Sequence, residues 1–356
     1  MRGASQQLYA PGTHDGRSPD AIMRLGSGYW SSRTVLSAVE LGLFTELAAA
    51  GELDAEALRD RLGLHPRGAR DFFDALVALA MLERLEGRYR NTPATELFLD
   101  RAKPTYVGGL LEMNSARSYA VWGSLTEGLR TGKPQNEAKH GGDAFAALYA
   151  DQRKLHGFVK AMTGVSAGAA HALAATFPWQ RYRTVIDIGC AEGCVPVQLA
   201  LAHAHLRGGG FDLPAVGPFF DDYVAAAGLD DRLSFHPGDF LTDDLPGADV
   251  LIMGHILQDW NLDQKRRLLE KAHAALPDGG ALIVYEPMID DDRRESAFSL
   301  LMSLNMLIET PGGFNCTSAD CRRWLRETGF AEVAIRQLAG PISMAVGIKY
   351  SPATGP

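Results

Sequence analysis

Apolar positions recur at helical spacing from Ala21 to about Tyr119, opening with AIMRLGSGYWSSRTVLSAVELGLFTELAAAG, so the first third of the chain reads as helical. Inside it, LDAEALRDRLGLHPRGARDFFDALVALAMLERLEGRYRNTP has the layout of a winged helix-turn-helix. A helix starts from Asp54, a turn covers Gly63 to Pro66, a second helix starts from Arg67, and a short hairpin turns at Glu86-Gly87. From Val121 to Pro178 the pattern reads as connecting helices, with a Gly-containing loop at LRTGKPQNEAKHGGD. The period then changes. Short apolar runs (TVIDIG, GGGFDLP, RLSFHPGD, ADVLIMGHIL, GALIVYEP, VAIRQLAG, SMAVGIKY) alternate with helical segments, which implies an α/β domain with a largely parallel sheet covered on both faces. Only a few residues separate the last two runs, so these must pair antiparallel, because a parallel pair needs a long crossover.

Composition narrows the class. With 356 residues, 46% of them hydrophobic, the chain can bury a core in each of two domains. A formal net charge of −8 argues against a duplex nucleic acid or an anionic membrane as the main partner and leaves a small molecule. Arg67 and Arg70 at the start of the second helix are the DNA-binding alternative, but Asp71, Asp74 and Glu83 lie beside them. The polar, Gly/Pro-punctuated start and the lack of a long apolar stretch lead us to expect a cytoplasmic protein. Cys190, Cys194, Cys316 and Cys321 lack the spacing of a zinc site and are expected to be reduced thiols, with no metal.

In an open α/β sheet, ligands bind beyond the carboxyl ends of the strands, so the residues ending each apolar run carry the information. The first run ends in Asp187-Ile188-Gly189-Cys190-Ala191-Glu192-Gly193, where two glycines let backbone approach a ligand just before a helix. This is not the G-x-G-x-x-G of dinucleotide binders. The second ends in Phe211-Asp212-Leu213-Pro214, with an acid able to accept from a ribose diol; alone, Asp212 reads equally as a helix cap. The third ends in Gly238-Asp239-Phe240, a carboxylate for an adenine amino group beside a ring to pack on the base. Together the three matched ends point to an adenosyl group.

Residues 21 to 350 resemble the two-domain small-molecule O-methyltransferase family of plants and actinobacteria, with DIGCAEG, FDLP, GDF, HILQDW, LIVYEP and GGFNCT in register. The resemblance implies a helical winged-helix dimerisation domain followed by a Rossmann-like, seven-stranded class I methyltransferase domain. On this basis the chain divides into a polar tail (1–20), a dimerisation domain (21–115), connecting helices (116–180) and an S-adenosylmethionine-binding domain (181–350). The resemblance also implies cofactor contacts by Asp187, Gly189, Gly193, Asp212, Leu213, Asp239 and Phe240, and a homodimer whose N-terminal helices help close the partner's pocket.

Two positions depart from the family pattern. The family's motif after the fourth strand is His-Asp-Trp, with the histidine taking the proton of the substrate hydroxyl; here it reads Gln258-Asp259-Trp260. A primary amide has no basic lone pair near neutral pH, so Gln258 can orient an acceptor but cannot deprotonate it. An acidic residue usually follows Pro-Gly-Gly to help hold that histidine, and Asn315 stands in its place, whereas Glu286 matches the other supporting acid. Ionising a phenol of pKa about 10 at pH 7 costs roughly 4 kcal/mol, which a base normally helps offset. A neutral amine, an enamine-like carbon or an already ionised oxygen escapes that cost. Three readings stay open: methyl transfer without this base, O-methylation with another base, or a cofactor-binding relative with different chemistry. His255 is the nearest substitute base, although it also reads as a residue within or flanking the strand. The segment SAFSLLMSLNMLIETPGG is apolar nearly all round, so Met302 and Met306 are either core or the wall of an acceptor pocket, and Asn305 is a candidate substrate contact.

Overall fold

The computed structural model describes residues 18–103, 105–137, 139 and 148–350. Most of the polar tail, and residues 138 and 140–143 of the Gly-containing loop, lie outside them. Contacts divide the chain into two compact units, Met1–Tyr119 and Ala120–Pro356.

In the first unit, Asp54 is the N-cap of the helix Ala55–Arg61, its carboxylate accepting from the Ala57 N–H at 2.9 Å. The next helix, Pro66–Ala78, starts one residue earlier than the pattern suggests, because Pro66 fits the first helical turn, where its missing N–H costs nothing. A three-stranded sheet of β1 (Leu53–Asp54), β2 (Leu82–Leu85) and β3 (Arg88–Asn91) follows in the order β1-β3-β2. The β2–β3 turn is Glu86-Gly87, both with positive φ, as a tight hairpin requires. Asp74 ties the wing to the second helix by accepting from the Tyr89 hydroxyl at 2.7 Å. Phe73, Leu76, Leu58, Phe44 and Leu43 fill the core beneath. The leading helix Asp20–Gly26 buries nothing within the chain: Ile22, Met23 and Leu25, and Tyr29 and Trp30 just beyond it, are all more than half exposed.

The second unit is built on a seven-stranded sheet. Its strands are β4 (Thr184–Ile188), β5 (Arg207–Asp212), β6 (Leu233–Pro237), β7 (Val250–Gly254), β8 (Ala281–Glu286), β9 (Glu332–Ala339) and β10 (Ile342–Ile348), in the order β6-β5-β4-β7-β8-β10-β9. All pairs from β6 to β8 are parallel, and β10 runs antiparallel to both β8 and β9, so the last two runs form the expected hairpin. Alternate residues of β8 enter different cores, Leu282 and Val284 one, Ala281, Ile283 and Tyr285 the other, which is why this strand reads as an unbroken apolar run. The direction of strand addition reverses at β4, between β5 and β7, and this opens the crevice where a ligand fits.

Candidate active site

The first side of the crevice is shaped by backbone. After β4 the chain turns at Gly189 with φ 72°, a conformation that favours glycine, and a Cβ there would lie 2.3 Å from the terminal methyl of Ile256, which would have to shift. Ala191 is also left-handed at φ 49°, and Gly193 caps the helix Cys194–Ala202. Ala191 is a non-glycine held in a strained conformation, and what it gains is a hydrogen bond. Its N–H reaches Asp212 Oδ2 at 3.0 Å, while the Leu213 N–H reaches Asp212 Oδ1 at 2.7 Å. Each oxygen of this buried carboxylate thus accepts one backbone bond and keeps lone-pair capacity for a ligand. Burial raises the Asp212 pKa to about 6, the two N–H donors working against the rise. Asp187, buried at the end of β4, is pushed well up by burial and then by Asp212 beside it.

Asp239 and Phe240 lie just past β6, which ends at Pro237. Asp239 Oδ1 accepts from the Leu241 N–H at 2.8 Å, and Phe240 meets Trp260 edge-on at 5.7 Å. Tyr149 belongs to the same region. Like Ala191, it packs against the buried cluster of Leu155, Val159 and Val216, and its phenol is pushed up by burial and by the fields of Asp212, Cys190 and Asp259. The sequence offered no signal for it, since a lone Tyr in a connecting segment has no motif around it.

The other side lies beyond β7 and β8. Leu257–Asp259 form a 3-10 turn, and Gln258 is buried there. Its N–H donates to Glu286 Oε2 at 3.1 Å, and its Oε1 accepts from Asn315 Nδ2 at 3.2 Å. Asn315 Nδ2 also donates to the Pro287 carbonyl at 2.9 Å. The loop carrying Asn315 can press this close only because Gly313 has no side chain: a Cβ would lie 2.6 Å from the Gln258 carbonyl oxygen. Glu286 has no exposed surface, and burial raises its pKa against the pull of Lys265. Lys265 itself is fully buried, its Nζ donating to the Phe314 carbonyl at 2.6 Å and lying 3.7 Å from the Phe314 ring centroid. Sequence reading missed it, because a lysine in the polar-rich run LDQKRRLLEK looks like a solvated face. The half-buried Asp259 is pushed up to about 8 by burial and by Glu286, with Lys265 opposing.

His255 flanks β7 rather than lying within it, at φ 57°. Its ring stands perpendicular to Tyr285 at 5.4 Å, its Nε2 is buried without a hydrogen-bond partner among the described residues, and burial lowers its pKa to about 4. On the helix Ala297–Glu309, Met306 is buried and Met302 half-buried, while Asn305 Oδ1 accepts from the Trp122 indole N–H at 2.8 Å. The four cysteines are free and buried, and no cluster of metal-ligating residues occurs among the described residues. No helix among them is long and apolar enough to cross a membrane.

Comparison with known proteins agrees with this layout. Residues 122–331 match the O-methyltransferase domain and residues 23–101 the O-methyltransferase dimerisation domain. The chain is 46% identical to the tetracenomycin polyketide synthesis 8-O-methyl transferase TcmO of Streptomyces glaucescens, over 95% of this chain and 99% of that one. It is 39% identical to the N,N-dimethyltransferase OxyT of Streptomyces rimosus, over 87% and 90%. The structure of human N-acetylserotonin methyltransferase in complex with S-adenosylmethionine superposes with a TM-score of 0.87 at 26% identity, covering 96% of this chain and all of that one. The glycine turn, the paired strand-end acids and these likenesses converge: the chain belongs to the two-domain O-methyltransferase family and is an S-adenosylmethionine-dependent methyltransferase.

Proposed function

We propose that the enzyme methylates a small natural-product acceptor without the histidine base of its family, the acceptor atom needing no deprotonation by the protein. One observation carries this reading. The position of the base holds an amide bonded to a second amide, Gln258 to Asn315, and the imidazole nearest in the sequence, His255, is made a weak base by burial, with a pKa of about 4. S-adenosylmethionine supplies a methyl group on a positively charged sulfur, already activated for displacement. The protein contributes position: Asp212 takes the ribose diol, Asp239 and Phe240 the adenine, Gly189, Gly193, Leu213 and Asp187 the rest of the cofactor, and Gln258 aligns the acceptor. Met302, Met306 and Asn305 flank the acceptor space. Relatives named for a polyketide 8-O-methylation and for the 3-O-methylation of a hydroxynaphthoate suggest a fused-ring aromatic acceptor.

A second reading rests on Asp259: a carboxyl with a pKa of about 8 is basic enough to accept a phenolic proton. Mass spectrometry of aromatic acceptors incubated with the enzyme and a labelled methyl donor tests the proposal. Transfer retained in Asp259→Asn favours the base-free reading, and transfer lost there favours the second. We also propose that residues 21–115 form a homodimer through the exposed apolar helix at their start, with 116–180 as connecting helices and 181–350 as the catalytic domain. Light scattering should report a dimer that Leu25→Asp with Trp30→Asp turns into a monomer.

A further inference from the structure

Which end of the Gln258 amide meets the acceptor is decided by a backbone group elsewhere. The Pro287 carbonyl can only accept, so the Asn315 atom 2.9 Å from it is Nδ2. That Nδ2 lies 3.2 Å from the Gln258 amide, and a donor there needs an acceptor opposite, which fixes the near atom as Oε1. The Gln258 main chain is held as well, by Glu286 on its N–H and by the close passage of Gly313 over its carbonyl. What remains is Nε2, which has no hydrogen-bond partner among the described residues and lies on a side chain that keeps a sliver of surface, the residue being 7% exposed. An amide nitrogen of this kind only donates.

We infer that Gln258 Nε2 selects an oxyanion: the acceptor enters already ionised, as the phenolate or enolate of an acidic aromatic hydroxyl, and Asn315 is the positioning residue that keeps the donor end of the amide toward it. This rests on the methyl-transfer reading above and narrows its acceptor. An anionic oxygen has lone pairs enough to accept from Nε2 and still attack the methyl carbon. A neutral amine has a single lone pair, and Nε2 would occupy the one that must react. The new oxygen–carbon bond forms from an oxygen lone pair, the electrons of the broken sulfur–carbon bond stay on sulfur, and the hydroxyl proton has gone to solvent before binding. A donor on the charged form also lowers the pKa of the bound hydroxyl.

The test uses naphthols with graded electron-withdrawing substituents, with kcat/KM measured against pH. In parallel, the absorbance of a nitronaphthol bound to the dimer with S-adenosylhomocysteine reports its ionisation without turnover. The pH inflection should follow each naphthol's own pKa, and the bound nitronaphthol should be ionised at a pH where it is neutral in solution. Gln258→Met, similar in volume but without a donor, should lower kcat/KM about 10- to 100-fold and remove the absorbance shift. Asn315→Asp should remove the shift with Gln258 intact, because an acceptor at 315 turns the amide around. An inflection fixed at one pH for every naphthol, or a bound nitronaphthol that stays neutral, overturns the inference. Ionised binding with no methyl transfer to any naphthol overturns the base-free transfer to an aromatic acceptor proposed above instead and leaves the oxyanion assignment standing.

Discussion

The two sides of the crevice solve the same problem, placing polar atoms in a nearly dry site, by opposite means. On the side of β4 to β6 the key carboxylate, Asp212, is held by main-chain N–H groups of neighbouring turns. On the side of β7 and β8, side chains far apart in sequence hold one another, and Asn315 Oδ1 and, nearby in the chain, His255 Nε2 are buried without partners among the described residues. Backbone-held groups tolerate little change, since the chain path itself depends on them. A side-chain network can be rewritten one residue at a time, so exchanges at 258 and 315 should change the chemistry of the second side without disturbing the first.

The sharpest way to break this contrast is on the first side. Asp212→Ala removes both proposed ribose contacts and leaves two N–H groups without their acceptor, so affinity for S-adenosylmethionine should fall by at least about 3 kcal/mol, beyond 100-fold, in calorimetry. Unchanged affinity would remove Asp212 from the cofactor site. Next comes pH. If Asp212 binds the ribose diol in its ionised form, as proposed, its raised pKa of about 6 means that this form is lost as pH falls through that value. Cofactor affinity should be level from pH 7 upward and drop about tenfold per unit below about 6.

The second side should respond less. Gln258→His with Asn315→Asp returns a base and its orienter, and if the acceptor arrives ionised, the rate should rise by less than tenfold. A larger rise with a new limb near pH 6.5 would restore the deprotonating mechanism. The smallest effect is expected from His255→Phe. A ring whose pKa burial holds near 4 is too weak a base to take a substrate proton, so kcat/KM should change less than about threefold and its pH profile should keep its shape.

How much of this was legible beforehand follows the same division. Asp187, Asp212 and Asp239 each close an apolar run, so the strand pattern and the motif give their places directly. Gln258, Glu286 and Asn315 were legible only through the resemblance to a family, and the orientation of the amide was not legible at all. It depends on the carbonyl of Pro287, and no residue type encodes a neighbour's backbone. Trp122 on Asn305 and Tyr149 beside Asp212 are long-range pairings without local periodicity. Lys265 was hidden by a rule that is usually right, that lysines face water.

Gly313 sets the terms on which this site can change its chemistry. Because that loop clamps the main chain of the Gln258 turn, exchanging the side chain at 258 or 315 need not move the backbone beneath. In the genetic code, glutamine and histidine differ by one base, as do asparagine and aspartate. The double change Gln258→His with Asn315→Asp is therefore two point mutations away, over a scaffold that need not move while the substitutions occur.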